Sequence, residues 1–507
     1  KSVTNLAVLG LLPQKSVDIS SGEILFEGAD LLNYSTQELQ EIRCNAISMI
    51  FQEPMSSLNP SMRCGKQVTE ILQRHKKLST QEAKTETLRL FEQVKLPRPE
   101  SVFKAYPHEI SGGQKQRVMI AMAIACKPKL LIADEPTTAL DVTVQKEIIL
   151  LLKELQKETG MSILFISHDL SLVSEIADRV IVMYKGKIVE RGTAASIFKN
   201  PQEEYTKALI YARPSTKERL ERLPTVADFL NQKPMAPAVS EAVRTAKHQK
   251  LYSKTPLLEI KNARKEYYSN VSFFGKKETI KAVNDVSFKI YEGETLGLVG
   301  ESGCGKSTLG NLILQLDQVT SGHIFYQGTD LTRLKTRELR KLRRDIQIIF
   351  QDPYSSLNPR LTVGQAITEA MEVHKLYASK KERKAEALKL LEQVGLLPEH
   401  YDRYPHEFSG GQRQRIGIAR TIAVKPKFIV CDESVSALDI SVQAQVLNLL
   451  NTLKEEYNFT YLFISHDLAV VKYISDRLLV MRNGQFEETG EADAVYAAPQ
   501  SDYTQAL

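Results

Sequence analysis

A glycine-rich octapeptide, Gly300 to Ser307, lies between an apolar run and a helical pattern, and its sequence is GESGCGKS. Glycines at these positions let backbone N–H groups surround phosphate oxygens at the start of a helix. Lys306 is expected to reach the β and γ phosphates of a nucleotide, and the Ser307 hydroxyl to bind Mg²⁺. The alternative, a glycine-rich turn without a ligand, is disfavoured by the flanking patterns. The residues predicted to line this phosphate loop are Gly300, Glu301, Ser302, Gly303, Cys304, Gly305, Lys306, Ser307 and Thr308.

Two apolar runs end in an Asp-Glu pair, Asp134-Glu135 and Asp432-Glu433. Such strands would deliver both carboxylates beside a phosphate loop, where the aspartate suits the shell of Mg²⁺ and the glutamate can polarise an attacking water. Taken alone, a strand that ends in Asp-Glu is an ordinary strand end. Its combination with the phosphate loop is what predicts a general base.

A serine, two glycines and a glutamine follow one another twice in the chain. Each segment combines a helix-capping serine with glycines that let backbone amides approach a ligand closely, which predicts an anion site at a helix start. In isolation the pattern would indicate only a capped helix. The residues concerned are Ser111, Gly112, Gly113 and Gln114, and Ser409, Gly410, Gly411 and Gln412.

Long strings recur in the same order in both halves of the chain. Residues 52–60 return as residues 351–359, residues 106–114 as 404–412, and residues 165–170 as 463–468. One continuous register over such a length indicates a duplicated domain rather than a solenoid. Residues 214–256, between the copies, carry several prolines, many charges and little apolar periodicity, which is typical of a linker laid over the surface.

Short apolar runs alternate with longer helical patterns in each copy, as a mostly parallel α/β sheet requires. A helix-rich insert separates the second and third predicted strands of the second copy. One of its helices begins with a capping box in both copies, at Ser79 with Glu82 and at Ser379 with Glu382. Core positions predicted on one face of this insert are Ala387, Leu391 and Val394. The predicted strands of the second copy are residues 295–300, 346–350, 428–432, 461–465 and 477–481.

The composition, 42% hydrophobic and 25% charged residues, predicts folded domains. No run approaches the roughly 18 apolar residues of a membrane helix, and the first residues lack the layout of a signal peptide. Five cysteines without CxxC spacing argue against a zinc site or a disulfide framework, so a reducing cytoplasm is expected. The basic run at 333–344 could be a nucleic-acid patch, but its counterpart at 32–43 is not basic, which favours a solvated helix face.

With His168 and His466 downstream, this ordered set of motifs makes nearly the whole chain resemble the ABC ATPase family. The resemblance implies an α/β fold class with two P-loop NTPase (ABC ATPase) domains, each a mostly parallel sheet core with a helical subdomain, arranged as a head-to-tail pseudo-dimer. The implied domains are residues 1–213 and 257–507, with a linker at 214–256. ATP held by the phosphate loop of one half would be closed off by the Ser-Gly-Gly-Gln segment of the other.

The resemblance also implies a role for single residues. Glutamines at two positions would touch Mg²⁺ and the attacking water, and histidines would contact the γ phosphate; a lone histidine after a strand could equally be a capping residue. The implied catalytic residues are Glu135, Glu433, His168, His466, Gln52 and Gln351. The implied Mg²⁺ ligands are Ser2, Gln52, Asp134, Ser307, Gln351 and Asp432.

Further nucleotide contacts follow from the same resemblance. Two residues match the end of a first phosphate loop, two aspartates match the loop that crosses the interface of the pseudo-dimer, and one tyrosine would stack on adenine, with its neighbour Tyr268 a competitor. These residues are Lys1 and Ser2, Asp141 and Asp439, and Tyr267. Because Lys1 aligns with Lys306, and residues 503–507 stop where 205–209 continue, the sequence is expected to be a fragment of a longer chain, truncated at both ends.

The segments at 56–60, 355–359 and 200–209 resemble the oligopeptide and dipeptide branch of ABC importers, whose fused ATPase subunits serve peptide, microcin C or glutathione uptake. This implies two transmembrane permease subunits and an extracytoplasmic substrate-binding protein as partners, and a place at the cytoplasmic face of the inner membrane. The alternative is a soluble tandem ABC ATPase that acts on ribosomes or nucleic acid. That class would predict a long charged helix between the domains and basic extensions, which this sequence lacks.

Overall fold

A computed structural model describes residues 1–13, 17–52, 57–137, 140, 142–214, 218–269, 278–352, 356–436 and 438–507. The chain divides into two compact units, Lys1–Lys207 (unit 1) and Ala208–Leu507 (unit 2). None of the helices in these described ranges is long and apolar enough to cross a membrane.

Unit 1 alternates helices with short strands. Its helices are α1 (Ser2–Val8), α2 (Thr36–Ile42), α3 (Cys64–Lys76), α4 (Thr80–Gln93), α5 (Pro99–Lys104), α6 (Gly112–Ile124), α7 (Val142–Thr159), α8 (Leu170–Ile176), α9 (Ala194–Lys199) and α10 (Glu204–Tyr211), the last of which continues into unit 2. Its strands are β1 (Leu25–Phe26), β2 (Ala29–Asp30), β3 (Ile47–Ile50), β4 (Leu130–Asp134), β5 (Ser162–Ile166), β6 (Arg179–Tyr184) and β7 (Lys187–Thr193).

The main sheet of unit 1 pairs β3, β4 and β5 in parallel, with β4 in the middle. Strand β4 is apolar up to its last residue, Asp134, because both of its faces are covered, and Leu131, Ile132 and Ala133 are fully buried. Strands β1 and β2, and β6 and β7, form separate antiparallel pairs. The parallel strands end at one edge of the sheet, where β4 ends at Asp134 and Glu135 follows it.

Unit 2 contains the larger set of described elements. Its helices are α11 (Val226–Leu230), α12 (Glu241–Tyr252), α13 (Lys306–Ile313), α14 (Thr336–Leu342), α15 (Val363–Val373), α16 (Lys380–Gln393), α17 (Gly410–Ile422), α18 (Ile440–Tyr457), α19 (Leu468–Ile474), α20 (Ala492–Ala497) and α21 (Asp502–Ala506). Its strands are β8 (Pro256–Ser269), β9 (Glu278–Tyr291), β10 (Thr295–Val299), β11 (Ser321–Tyr326), β12 (Thr329–Asp330), β13 (Ile346–Ile349), β14 (Phe428–Asp432), β15 (Thr460–Ile464), β16 (Arg477–Arg482) and β17 (Gln485–Glu491).

A six-stranded sheet in the order β13-β14-β15-β10-β16-β17 forms the centre of unit 2 as described. Its pairs are parallel except for the antiparallel pair of β16 with β17. A second, antiparallel sheet has the order β12-β11-β8-β9. The phosphate loop follows β10, and β14 ends at Asp432 with Glu433 directly after it, so both lie at the same edge of the parallel strands.

The five strands predicted from the sequence of the second copy are confirmed as β10, β13, β14, β15 and β16, with ends that differ by at most a residue. Strands β10 and β15 are buried at every position, which explains their continuous apolar runs. The helix-rich insert is also present, between β13 and β14, as α15, α16 and α17.

The predicted details of the insert are partly confirmed. Ala387, Leu391 and Val394 are buried, as expected for core positions. The capping box at Ser79 is complete, because Ser79 and Glu82 each accept the other's backbone N–H. The prediction of a second capping box is wrong. Ser379 accepts the N–H of Glu382, but the Glu382 carboxylate accepts the N–H of Ala378, at 2.9 Å, instead of the N–H of Ser379. Extended backbone at Ser379, with φ of −127°, accompanies this exchange.

The basic run at 333–344 lies on and around α14, and its seven cationic side chains are exposed. Arg333 pairs with Asp330 at 3.2 Å. The expected solvated helix face is therefore confirmed.

Residues 219–252, which we call the strap, pack against the rest of unit 2. Leu223, Val226 and Leu251 of the strap are buried. The backbone of Leu223 pairs with the Asn448 side chain on α18: its N–H donates to Asn448 Oδ1 at 2.9 Å, and its carbonyl accepts from Asn448 Nδ2 at 2.8 Å. The prolines and charges of this segment thus accompany a docked structure, with α11 and α12 within it.

Two buried arginines of the strap contact the other end of unit 2. The Arg219 guanidinium donates to the Ser475 carbonyl at 2.9 Å and pairs with Asp493 at 3.2 Å. Arg244 pairs with Glu491 and Asp493. Both arginine side chains are only 12% exposed, so these contacts supply the counter-charges that buried cations require.

The residues that hold the strap differ between the two copies. Leu150, Gln156, Thr193 and Ala195 of unit 1 occupy the repeat positions of Asn448, Lys454, Glu491 and Asp493. Leu150 is 52% exposed, whereas Asn448 is buried under Leu223. The docking site for the strap is thus a feature of the second copy's own sequence.

Candidate nucleotide-binding site

The phosphate loop requires glycine at two positions for steric reasons. At Gly300 φ is 151°, and an added Cβ would lie 2.2 Å from the carbonyl oxygen of Met481. At Gly305 φ is 112°, and an added Cβ would lie 2.1 Å from the carbonyl oxygen of Ala282. Gly305 is the N-cap of α13, so the loop presents backbone N–H groups at the positive end of that helix.

Lys306 is buried inside this loop. Its ammonium donates to the Gly300 carbonyl at 2.7 Å and to the Glu301 carbonyl at 2.8 Å. These contacts hold the positive charge over the loop, where it adds to the field of the helix N-terminus. The loop therefore combines two features that attract phosphate, N–H donors and a fixed cation.

Ser307, Asp432 and their counterparts fit a magnesium ion. The Ser307 hydroxyl donates to Asp432 Oδ1 at 3.2 Å. Burial raises the pKa of Asp432, and the hydrogen bond from Ser307 partly offsets this. In unit 1, Asp134 is 3% exposed, and its buried Oδ1 accepts no hydrogen bond from the residues described. A buried carboxylate oxygen without a donor is one that a cation would satisfy, and oxygen ligands are those that Mg²⁺ prefers.

The two glutamates that follow the strands share an unusual backbone conformation. Glu433 has φ of 46° and Glu135 has φ of 49°, both in the left-handed region that residues with a Cβ rarely adopt. Their N–H groups donate to the carbonyls of Ile464 and Ile166, each at 2.9 Å, which ends the parallel ladder. Such strain persists where the surrounding structure imposes it, and it is common at functional sites.

In unit 2 this conformation brings three side chains together. Gln351 Nε2 donates to Glu433 Oε2 at 2.7 Å, and His466 Nδ1 lies 3.5 Å from Glu433 Oε1. Gln351 follows β13, Glu433 follows β14 and His466 follows β15, so three neighbouring parallel strands supply the cluster. The sequence predicted each residue, and the structure places them in contact.

Unit 1 has the same cluster. Gln52 Nε2 donates to Glu135 Oε2 at 2.9 Å, and His168 Nδ1 lies 3.1 Å from the same oxygen. The Lys1 ammonium donates to the carbonyl of Ser167 at 3.2 Å, which places its charge beside His168. The hydrogen bond with Glu135 raises the pKa of His168, and Lys1 acts in the opposite direction. Ser2 begins α1, at the repeat position of Ser307 on α13.

The charges of the unit 2 cluster support each other. Burial raises the pKa of Glu433, but the hydrogen bond and charge of His466, together with Lys306, lower it by more. The net shift of this pKa is therefore downward. Burial lowers the pKa of His466, and Glu433 more than reverses this, so the net shift is upward. Glu433 is therefore ionised at neutral pH and able to accept a proton from water.

The two Ser-Gly-Gly-Gln segments form complete capping boxes at the start of α6 and α17. Ser409 N–H donates to Gln412 Oε1 at 3.0 Å, and Gln412 N–H donates to Ser409 Oγ at 3.4 Å. Ser111 and Gln114 form the same pair. The helices are 13 residues long, so each box ends at a substantial dipole.

The two glycines of each segment have different roles. A Cβ at Gly411 would lie 2.3 Å from Val442 Cγ1, and one at Gly113 would lie 3.0 Å from Val144 Cγ1, so these glycines permit close helix packing. A Cβ at Gly410 would meet nothing within 4 Å, and one at Gly112 would meet only Leu140, at 3.7 Å. The first glycine of each pair thus leaves the helix N-terminus open to a ligand.

The remaining predicted residues have varied surroundings. Asp439 is the N-cap of α18, where Oδ1 accepts the N–H of Val442 at 3.0 Å. Its counterpart Asp141 lies outside the described residues. A capping role accounts for the conformation of Asp439 and leaves its contact with a nucleotide as a prediction.

Tyr267 lies on β8. Its hydroxyl donates to Asp317 Oδ2 at 2.7 Å, and the Lys265 ammonium lies 4.9 Å from its ring centroid. The hydrogen bond to Asp317 raises the pKa of Tyr267. The competitor Tyr268 contacts Glu266 instead, at 3.2 Å. The stacking of Tyr267 on adenine stays a prediction. Asp317 was missed by the sequence reasoning because no motif contains it.

Two family models match the chain. The model described as ABC transporter matches residues 1–138 and 283–436, which is more than half of the chain. The chain belongs to the ABC transporter family. A second model, described as oligopeptide/dipeptide transporter, C-terminal region, matches residues 189–234 of this ABC protein. The predicted fold class of P-loop ATPase domains with parallel sheets, the ATP ligand and the ATPase activity are thereby confirmed.

Among curated proteins, the chain is similar to the glutathione import ATP-binding protein GsiA of Shigella sonnei (strain Ss046) and of Escherichia coli (strain K12). Each alignment is 45% identical over 518 positions and covers 100% of this chain and 82% of the relative. Among solved structures it matches the dimeric structure of MJ0796, a bacterial ABC transporter cassette, at 32% identity and a TM-score of 0.43, over 46% of this chain and 98% of that one. This ABC protein is thus the ATP-binding subunit of an importer, a role that requires membrane permease partners.

Proposed function

We propose that this ABC protein powers the uptake of peptides or related small compounds, glutathione among them, by hydrolysing ATP at the cytoplasmic face of the bacterial inner membrane. The Gln–Glu–His cluster, present in both units, carries the proposal, because it supplies a general base and its two partners twice in one chain. The match of residues 189–234 to the oligopeptide/dipeptide transporter model and the names of the relatives support the substrate class.

In the proposed reaction at unit 2, Glu433 accepts a proton from the water that attacks the γ phosphate. Gln351 orients the glutamate and the water, and His466 contacts the γ phosphate and lowers the pKa of Glu433. Lys306 and the N–H groups of the phosphate loop neutralise charge on the phosphates.

Ser307, Asp432 and Gln351 are the residues of unit 2 that would hold Mg²⁺. When bound, the ion would neutralise charge that develops on the β and γ phosphate oxygens. No cluster of three or more His, Cys, Asp and Glu side chains occurs among the residues that the structure describes. A site with few protein ligands is the usual one for Mg²⁺, which shares its shell with phosphates and water.

The two Ser-Gly-Gly-Gln segments are proposed to complete each nucleotide site in trans. Ser111, Gly113 and Gln114 would close over ATP at the loop that contains Lys306, and Ser409, Gly411 and Gln412 over ATP at Lys1 and Ser2. Asp141 and Asp439 would contribute to the same closure, and Tyr267 would stack on adenine. The open helix N-terminus at Gly112 and Gly410 supports this role.

Two transmembrane permeases and an extracytoplasmic substrate-binding protein are the proposed partners. A groove of about 340 Å³ in unit 2 runs beside β13 and is lined by Phe350, Val373 and Gln414 among others. Val373 is 70% exposed. Phe350, which directly precedes Gln351 in the sequence, is 45% exposed. Apolar exposure next to a catalytic glutamine supports a permease contact here, because a partner in the groove could move that glutamine.

The test is ATP turnover by the purified chain and its variants. Glu433→Gln, in a background that also carries Glu135→Gln, should bind ATP and lower turnover by about a hundredfold or more. Glu487→Gln, which changes an exposed glutamate of unit 2, is the matched control and should leave turnover unchanged. Full hydrolysis by the double variant would refute the general-base assignment.

The substrate class is tested separately. A strain that lacks this chain should lose uptake of labelled glutathione or oligopeptides and regain it with the wild type, but not with Glu433→Gln. Uptake that persists without the chain for every peptide tried would remove the support for this class.

A further inference from the structure

Tyr503, near the end of unit 2, contacts the phosphate loop. Its hydroxyl oxygen accepts a hydrogen bond from the backbone N–H of Glu301 at 3.1 Å, and the side chain is 8% exposed. Glu301 is the second residue of the loop, and its neighbour Gly300 carries a carbonyl that binds the Lys306 ammonium. A residue 202 positions away in sequence is thus bonded to the backbone of the nucleotide site.

The segment that carries Tyr503 is itself anchored. The Glu488 carboxylate on β17 accepts the N–H of Gln500 at 3.0 Å and of Ser501 at 3.2 Å. Ser501 caps α21 by accepting the N–H of Thr504 at 3.0 Å. The Arg482 guanidinium lies over the Tyr503 ring at 4.7 Å from the centroid. These contacts fix the position from which the tyrosine reaches the loop.

Unit 1 repeats the anchor. The Glu190 carboxylate on β7 accepts the N–H of Gln202 at 2.8 Å and of Glu203 at 3.3 Å. The tyrosine that follows, Tyr205, stacks on Tyr184 with 4.2 Å between ring centroids. Glu190, Tyr205 and Tyr184 stand at the repeat positions of Glu488, Tyr503 and Arg482. In both repeats, therefore, a glutamate carboxylate binds two backbone N–H groups shortly before the tyrosine.

We propose that Tyr503 is a positioning residue for the phosphate loop at Gly300–Ser307. By accepting the N–H of Glu301, it holds this loop in the conformation that binds ATP. This inference rests on the proposed function of that loop. Glycine-rich backbone loses more freedom than other backbone when it is ordered, so a contact that orders the loop beforehand strengthens nucleotide binding.

The proposal predicts that removal of the Tyr503 hydroxyl weakens nucleotide binding and leaves kcat unchanged. Tyr503→Phe removes only the hydroxyl, and loss of one such hydrogen bond corresponds to a change in the nucleotide Kd of about three- to tenfold. The hydroxyl touches the loop backbone and none of the reacting groups. The KM for ATP should therefore rise by a similar factor, while kcat at saturating ATP stays within about twofold of the parent.

The experiment measures ADP and ATP affinity, then turnover, in the full chain with Glu135→Gln, so that hydrolysis reports on unit 2. The variants are Tyr503→Phe, the control Tyr496→Phe and the loop variant Lys306→Ala. Tyr496, on α20, lies under the Lys472 ammonium at 4.5 Å and should show parent values.

Each outcome decides one point. A rise in Kd and KM for Tyr503→Phe alone, with thermal stability unchanged, supports the proposal. Parent affinity in Tyr503→Phe, while Lys306→Ala weakens binding strongly, overturns it and leaves the proposed function intact. A fall in kcat and stability without a change in KM also overturns it, because that result indicates a general structural role. If Lys306→Ala binds nucleotide as the parent does, the proposed function of the loop itself fails.

Discussion

Removal of the Asp476 charge should destabilise unit 2, because this carboxylate is buried and compensates two cations. Asp476 is 3% exposed. Its Oδ1 lies 3.0 Å from Lys247 of the strap, and its Oδ2 lies 3.0 Å from Lys454 and accepts the N–H of Thr295 at 2.9 Å. Asp476→Asn keeps the shape and an acceptor oxygen, so it isolates the loss of charge.

The magnitude follows from the unequal exposure of the two cations. Lys247 is 53% exposed and can be solvated when its partner is neutral. Lys454 is 11% exposed, and burial already lowers its pKa, so it would be left as an uncompensated buried charge. Breaking a buried ion pair typically costs about 3–5 kcal/mol, and with one of the two cations relieved by water we expect about 3 kcal/mol.

The assay is denaturant unfolding with hydrogen exchange, which assigns the change to peptides of unit 2. Asp178→Asn is the matched control, because Asp178 occupies the same repeat position in unit 1 and is exposed. That control should change stability by less than about 0.5 kcal/mol. If Asp476→Asn costs no more than Asp178→Asn, Asp476 does not stabilise unit 2 through its charge.

The same pair of proteins has a defined dependence on pH. Burial raises the pKa of Asp476, but Lys454, His248 and Lys247 more than offset this and hold the pKa well below its usual range. A lowered pKa gives stability that is present above the pKa of the unfolded chain, about 3.9, and is lost as pH falls through the folded value. The wild type should therefore be more stable than Asp476→Asn at neutral pH, and the margin should shrink below about pH 4.

Three further predictions concern single residues. Asn448→Leu, which installs the residue of unit 1, should lower the free energy of unfolding by about 1–3 kcal/mol, because the backbone of Leu223 loses both partners; limited proteolysis of the strap should accelerate, and an unchanged cleavage rate would contradict this. Ser409→Ala should cost about 1 kcal/mol through loss of the helix cap and Ser409→Gly only a few tenths, as measured by urea unfolding; equal losses would show that the cap is unimportant. Glu433→Gly should be about 1 kcal/mol more stable than Glu433→Ala, because only glycine relaxes at φ of 46°, and equal melting temperatures would argue against backbone strain.

The parts of the site that the sequence predicts are those built from local order along the chain. Gly300 and Glu433 directly follow apolar strands, and His466 comes two residues after a third, so the sequence alone places them at one edge of a parallel sheet. The left-handed backbone of Glu433 has no comparable signal, because the sequence offers neither glycine nor asparagine there. Its conformation is held by the hydrogen bond from its N–H to the Ile464 carbonyl, a contact that forms only in the folded sheet.

Long-range polar contacts were beyond prediction for a related reason. Arg219 meets Ser475, and Tyr503 meets the N–H of Glu301, through single hydrogen bonds between distant segments without apolar periodicity. The strap resembles an exposed linker by composition, and the sequence does not show that Arg219, Arg244 and Lys247 pair with carboxylates elsewhere in unit 2. The recurrence of Tyr-Thr-x-Ala-Leu in both halves was the one signal that could have pointed to Tyr503.

The docked strap also bears on how the two repeats evolve. Similar repeats in one gene can overwrite each other by recombination, and a copy of the first repeat placed over the second would put Leu, Gln and Ala at the positions of Asn448, Lys454 and Asp493. The guanidiniums of Arg219 and Arg244 would then remain in a buried place without that acidic partner, at a loss of several kcal/mol. Replacement of the second repeat by a copy of the first would therefore destabilise unit 2, whereas the reverse replacement would remove no contact of the strap.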